Sequence, residues 1–249
     1  MIGQTTPTVL TWLWHDKDCR TQYDHRHVNA WARMVRANTT GEYRLACVTD
    51  QPDGIDPSIN IIPLPEWESV RNRYWSTAQG HPQCYRRLDM FRPDAAETYG
   101  ERIICMDLDV AILGNIDHIV HSTDDFRIAG SSARLYNGAL ITMDAGARSS
   151  VYSRWNASEA EAATAKHLGS DQAWIAYILG AGEQTWTALD GVYHYNRHRP
   201  VAKSARMLFF PGNIKPWHHN AHGMRWLTKL HGVSSDQEVG NMFGVKRRR

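Results

Sequence analysis

Arg102-Ile103-Ile104-Cys105-Met106-Asp107-Leu108-Asp109-Val110 joins a short apolar run to two carboxylates one residue apart, and apolar residues resume at once. The run has strand length and β-branched content, with almost no polar residue before the acids. It reads as a buried, parallel strand of an α/β sheet. The acids then stand at a strand's carboxyl end, where open α/β sheets place their ligands. Two close carboxylates repel unless a hard cation neutralises them or one stays protonated. The triplet alone is open to two readings, a divalent-metal site or two acids in a solvated turn.

Outward from this stretch, the pattern is α/β throughout. Thr8 to Trp14 is a β-rich first strand, and the polar run His15 to Tyr23 follows as a loop at its carboxyl end. Val28, Trp31, Ala32 and Val35 fall at i, i+3, i+4, i+7, one face of a helix that Asn38-Thr39-Thr40-Gly41 stops. Arg44–Val48 and Ile59–Leu64 read as two further strands, the first closed by Thr49-Asp50-Gln51-Pro52. A β-α-β-β start with polar residues after each strand suggests a Rossmann-like, nucleotide-binding half. Trp14, His15 and Asp16 become candidates for contacting base or ribose, with Thr49 and Asp50 beside them.

After an irregular stretch from Glu66 to Pro82, Tyr85–Phe91 reads as a short helix carrying Arg86, Arg87 and Asp89. Past the acids, Phe126–Ala129 and Ala139–Met143 are strands, with Tyr136-Asn137-Gly138 a turn before the second. Ser149–Lys166 is a helix whose Ala/Glu-rich second half is exposed. Ser170 caps another, with Asp171 in its first turn and Gly180 at its end. Thr185–Leu189 and Met207–Phe210 are late strands. With no repeat and no linker, the chain reads as one domain: about 1–110 a nucleotide-binding half, 111–225 a second half, 226–249 a tail.

Bulk properties narrow the function. The 249 residues are 42% hydrophobic and 22% charged, and a net charge of +2 gives no global case for nucleic acid. Ten tryptophans suit a core but also stack on sugars and bases. Cys19, Cys47, Cys84 and Cys105 form no Cys-x-x-Cys pair, which argues against a zinc knuckle or a disulfide scaffold. No leader-like or membrane-length apolar run is present, so a reducing, cytoplasmic setting is expected. The terminal Val-Lys-Arg-Arg-Arg reads as a solvated tail, with peripheral membrane contact at most.

Several segments together resemble the family-eight retaining glycosyltransferases of the GT-A fold, the family of glycogenin and the lipopolysaccharide galactosyltransferases. Arg87-Leu88 precedes the acids as a basic residue and leucine do in that family. ICMDLDVAILGNIDHI resembles its apolar strand, Asp-x-Asp and following segment. Tyr136-Asn137-Gly138-Ala139 resembles its aromatic-Asn-(Ser/Ala)-Gly segment, one residue shorter. Gly169-Ser170-Asp171-Gln172 resembles its Asp-Gln at a helix start, and Gly212-Asn213-Ile214-Lys215-Pro216-Trp217 its Gly-x-x-Lys-Pro-Trp motif. These segments span about 85 to 217, in the family's order; the N-terminal part agrees only in pattern.

The resemblance implies an enzyme that moves a sugar from a nucleotide-diphosphate donor, UDP-glucose or UDP-galactose being expected, to a glycan, lipid-linked or protein acceptor, with retention. It places Mn²⁺ or Mg²⁺ on Asp107 and Asp109, with Asp107 also facing the ribose. It puts Lys215 on the diphosphate beside Gly212, Asp171 on sugar hydroxyls and Gln172 near the anomeric carbon. Arg87, Asn137 and Trp14 become donor contacts; an internal salt bridge is the alternative for Arg87 and an ordinary turn for Asn137. The chain departs from the pattern where the family has its third metal ligand, a His three residues before the motif glycine. That position is Phe209, so His218 is the expected substitute, with His219, a water ligand or weaker metal binding as the alternatives. The same departure supports an alternative, a sugar-nucleotide-binding protein without catalysis. A haloacid dehalogenase-type phosphatase fits less well, since Ala111 stands where that family has Thr or Val and the acids lie mid-chain.

Overall fold

The structure is a computed structural model describing residues 5–15, 21–65, 84–196, 198–212 and 215–217. Its main sheet begins with β1 (Thr8–Leu13), β2 (Arg44–Thr49) and β3 (Asn60–Pro63), all mutually parallel, with helix α1 (His25–Asn38) crossing from β1 to β2. Asp24 starts α1 by accepting from Arg26 N (2.9 Å), while its own N–H donates to His27 Nδ1 (3.0 Å), a reciprocal cap. The face of α1 foreseen from its spacing, Val28, Trp31, Ala32 and Val35, is buried.

The opening stretch forms β4 (Arg102–Met106), buried along its whole length. It is parallel to β1 on one side but antiparallel to β7 (Tyr136–Asp144) on the other. The expectation of a parallel strand therefore holds on one side only. The full order is β3-β2-β1-β4-β7-β6-β8, with β6 (Phe126–Gly130) and β8 (Thr185–Trp186) at the far edge. Side chains alternate between two cores, as period-2 strands require. Val9, Leu13, Ile104 and Met106 pack with α1. Leu10, Trp12, Ile103 and Cys105 pack against the 3₁₀ helix Cys84–Phe91 and α6 (Asp171–Leu179).

A second sheet had no clear signal in the sequence. Val110–Ile112 (β5) leaves Asp109 directly and pairs antiparallel with β10 (Met207–Phe209), which pairs parallel with β9 (Val192–His194). The Asp-x-Asp triplet is thus the corner where the chain passes from the large sheet to the small one.

Several other boundaries also differ from the pattern. Tyr136-Asn137-Gly138 lies within β7 rather than in a turn before it, because Gly130 and Ala129 on β6 pair with Tyr136 and Asn137 past a register shift. The helix foreseen over 149–166 is two, α4 (Ser150–Ser153) and α5 (Ala157–His167), since Asn156 caps a fresh start by accepting from Ser158 and Glu159 N–H. Short helices α2 (Ala95–Tyr99) and α3 (Asp117–Val120) flank β4 and β5. β8 ends at Trp186 because Thr187 caps a 3₁₀ turn over Ala188–Asp190. Among the described residues, no helix is long and apolar enough to cross a membrane.

Candidate functional site

β1 has its helical crossover to β2 on one side and β4 on the other, so the crevice at their carboxyl ends is a topological switch point. Thr11 Oγ1 closes the β1–β4 junction by donating to Met106 O (3.0 Å). A cavity of about 1210 Å³ opens above it. Its wall carries Asp107, Asp109, Asp171, Gln172, Arg87 and Lys215.

Asp107 is fixed through its backbone, N–H to Ala139 O at 2.9 Å, and its Oδ1 accepts from Arg87 Nη1 at 2.8 Å. Its side chain keeps 35% of its surface open, toward the cavity it lines. Enclosure by the cleft walls raises this carboxyl above the ordinary carboxylate range, and the charges of Asp109 and Asp171 push the same way against Arg87. Arg87 is buried, with Nη2 donating to Gly138 O and Nη1 3.4 Å from Asp171 Oδ2. It therefore forms the internal salt bridge that was the alternative to donor contact.

Asp171 opens α6 and is buried, yet its Oδ2 accepts no hydrogen bond. A Cβ on Gly138 would stand 3.1 Å from that oxygen, so glycine keeps the approach to it clear. Ser170 holds the N-cap position without a side-chain cap bond; its hydroxyl accepts from Cys84 N (3.2 Å) and ties the helix start to the Arg87 helix. Gln172 is held at both ends, its Oε1 by Gly138 N–H and its Nε2 on Leu168 O, each at 3.3 Å. Asn137 Oδ1 accepts from Ala139 N (2.9 Å), which turns its Nδ2 toward His194 Nε2 (3.0 Å). His194 is therefore the Nδ1-protonated neutral tautomer. Burial, with the nearby Arg134, lowers its tendency to protonate.

Lys215 is 3% exposed, and its Nζ pairs with Asp109 Oδ2, which also accepts from Tyr23 OH (3.1 Å). Phe210 N–H donates to Asp109 O (3.2 Å), so β10 brings the Lys215 segment back beside the acid pair. Tyr23, His27 and Trp217 make a cluster of edge-on rings, 5.7 Å between Tyr23 and Trp217 and 4.5 Å between His27 and Trp217. Gly212 has φ +77°, a backbone conformation that favours glycine, with nothing among the described residues within 4 Å of where a Cβ would stand. Trp14 lines the cavity, and His15 N–H donates to Asp50 Oδ1 (3.1 Å), joining the loops after β1 and β2.

Sequence reasoning overlooked Tyr23 and His194. The signal for Tyr23 was its place just before the Asp24 cap, the position whose side chain orients entry into a helix. Asp16 and His218 lie outside the described residues. Phe209 is 1% exposed and packs in the core, paired with Val110 and His194. Among the described residues no three metal-ligating groups converge.

Three carboxylates here share two fixed cations, Arg87 and Lys215. Asp107 Oδ2 and Asp109 Oδ1 have no protein donor among the described residues. That donor set suits a hard divalent cation taking its other ligands from phosphate oxygens and water.

No family model matches the chain, and no curated protein matches it by sequence. Solved structures do match. The galactosyltransferase LgtC, in complex with donor and acceptor sugar analogs, is 13% identical over 94% of this chain and 99% of its own, with a TM-score of 0.57. The glycosyltransferase GlyE of Streptococcus pneumoniae TIGR4 is 10% identical over 95% of this chain and 63% of its own, at 0.60. The bifunctional glycosyltransferase WbbM is 10% identical over 94% of this chain and 52% of its own, at 0.52. The chain has the fold these proteins share, the mixed α/β sheet of the GT-A type.

Proposed function

We propose that this protein is a glycosyltransferase that moves a hexosyl group from a nucleotide-diphosphate donor, a UDP-hexose, to an acceptor hydroxyl with retention at the anomeric carbon. One observation carries the reading: Asp107, Asp109 and Lys215 meet Asp171 and Gln172 in a single cavity at the sheet's switch point. The likeness to LgtC, seen with donor and acceptor sugar analogs, supports a sugar-nucleotide donor and a glycan acceptor.

Asp107 and Asp109 would hold Mn²⁺ or Mg²⁺ by their uncommitted oxygens. Such a cation supplies Lewis-acid stabilisation of a leaving diphosphate. Lys215, anchored on Asp109, adds a fixed positive charge at the same end of the cavity. Asp171 presents a buried oxygen that accepts no hydrogen bond and stands 3.4 Å from Arg87 Nη1, suited to a sugar hydroxyl. Gln172, fastened at both ends of its amide, presents its side chain beside the sugar. Among the described residues, no further carboxylate on the cavity wall stands ready as a nucleophile. We therefore favour front-face transfer: the sugar–phosphate bond breaks, the acceptor oxygen bonds the anomeric carbon from that same face, and the leaving phosphate oxygen takes the acceptor's proton.

The test is a thermal-shift panel of nucleotide sugars with and without Mn²⁺, followed by UDP release from the sugars that bind. Metal-dependent release that Asp109→Asn abolishes is the expected result. Phosphate release from phosphomonoesters instead would overturn the reading. Phe209 favours a second reading, binding without transfer, because phenylalanine cannot ligate a metal; donor binding with no turnover across acceptors would establish it.

A further inference from the structure

The charged side chains that line the cavity are unevenly partnered. Its acids, Asp107, Asp109 and Asp171, gather at the end where Arg87 and Lys215 already answer them. Among the described residues, the rest of the cavity wall carries two arginines and no acid. Arg134 sits half-buried in the turn between β6 and β7, and Arg199 follows β9. Neither guanidinium has an acidic partner among the described residues. Arg102, Arg127 and Arg148 by contrast are committed to Asp144, Asp190 and Glu183. An arginine left unpaired on a cavity wall is a ready fork for a carboxylate or phosphate.

Position assigns Arg134 to the acceptor, and Arg199 lines the same cavity from the segment after β9. The β6–β7 turn joins the first and second strands beyond β4 in the sheet order. That is roughly 5–10 Å at the ordinary spacing of neighbouring strands, on the side away from β1 and β2. A nucleotide over β1 and β2, with its diphosphate at Asp109, points its sugar toward this wall and leaves the acceptor beyond it. His194, held by Asn137, lines the same cavity. An anionic group entering here meets donors and positive charge.

We propose that the acceptor is an anionic glycan whose phosphate or carboxylate is held by Arg134 and Arg199. The proposal rests on the glycosyltransferase reading above.

The test uses the full chain saturated with UDP and Mn²⁺ in phosphate-free buffer at fixed ionic strength. Glucose, glucose 6-phosphate and glucuronate are titrated in by calorimetry. The two anionic sugars are expected to bind at least tenfold more tightly than glucose, and comparing them separates phosphate from carboxylate. In the Arg134→Gln/Arg199→Gln double variant the advantage should fall below threefold. Acceptor-free hydrolysis of the donor should stay at the wild-type rate in that variant. The two single variants, each losing part of the advantage, keep the test open should the double variant fold poorly. Equal or undetectable binding of all three sugars overturns the proposal. So does a variant that keeps the advantage, or one that weakens donor affinity, since that would assign the arginines to the diphosphate. A chain that hydrolyses no nucleotide sugar even without acceptor fails at the earlier step and removes the glycosyltransferase reading itself.

Discussion

Lys215 and Asp109, 106 positions apart in sequence, form a buried ion pair at the mouth of β4, with side chains 4% and 14% exposed. Deleting one partner of such a pair leaves the other charge desolvated and unanswered, which destabilises by about 3–5 kcal/mol. Lys215→Met should therefore lower the urea unfolding free energy by about 3 kcal/mol. Adding Asp109→Asn should restore part of that loss, because the stranded charge goes with it. Strictly additive effects in this double-mutant cycle would mean that the pair does not stabilise the fold.

Arg87 makes a different kind of junction, spanning Asp107, Asp171 and the Gly138 carbonyl from one planar group. A lysine brings a single point of charge and cannot match that fork. Arg87→Lys should lower stability by about 2 kcal/mol, within the range for a broken buried network. It should also slow UDP release, since Asp107 and Asp171 lose their common brace. A variant as stable and as active as the wild type would contradict this role.

The parts of this site that sequence made readable are those with a local signature. β4 announces itself as an apolar run ending in two acids, and α1 as a 3.6-residue stripe stopped by Asn38-Thr39-Thr40-Gly41. The Asp171-Gln172 pair was placed at a helix start because Ser170 reads as its N-cap, and Ser170 does hold that position, though its side chain makes no cap bond. Each of these rests on residues within a few positions of one another. The Lys215–Asp109 and Arg87–Asp171 pairs do not, because nothing near Lys215 states which carboxylate it meets. The small sheet was equally hidden. Val110–Ile112 and Val192–His194 are three-residue strands, too short for period 2 to register, and they exist because β10 pairs with both. Asn137 looked like a turn residue by composition, yet β6 draws it into a strand and toward His194. In that case tertiary pairing overrode a local preference.

Acid should act on the start of α1. Burial alone would raise the Asp24 carboxyl, but the hydrogen bonds from the Arg26 N–H and guanidinium outweigh that and hold it well below the usual range. A carboxyl depressed in the folded state contributes stability that is complete above its unfolded value, about 4. That contribution drains away as pH falls toward the folded value. Stability measured by urea should therefore drop below pH 4 more steeply in the wild type than in Asp24→Ala. At pH 7 the variant should lose about 1 kcal/mol, the usual worth of an Asp cap. Parallel acid limbs in the two proteins would show that Asp24 does not report on this transition.

Gly169 stands directly before the Ser170-Asp171-Gln172 helix start, with φ +117° and with a hypothetical Cβ 2.5 Å from Gln172 Nε2. The preceding Leu168 also holds positive φ, 59°, unusual for a side-chain-bearing residue and typical of backbone that function over-determines. Gly169→Ala should thus do two things at once, strain the backbone and push the Gln172 amide off Leu168 O. Gly180 separates them. It caps the other end of α6 with φ +67° and nothing within 4 Å of a Cβ, so Gly180→Ala carries backbone strain alone. Both variants should lose about 1–2 kcal/mol in urea, since each forces alanine into a positive-φ conformation. Only Gly169→Ala should also slow UDP release, by about tenfold, because a small misplacement at a reacting centre is amplified in rate. If Gly180→Ala slows release equally, the loss comes from a loosened α6, and the pinned amide of Gln172 does not set the rate.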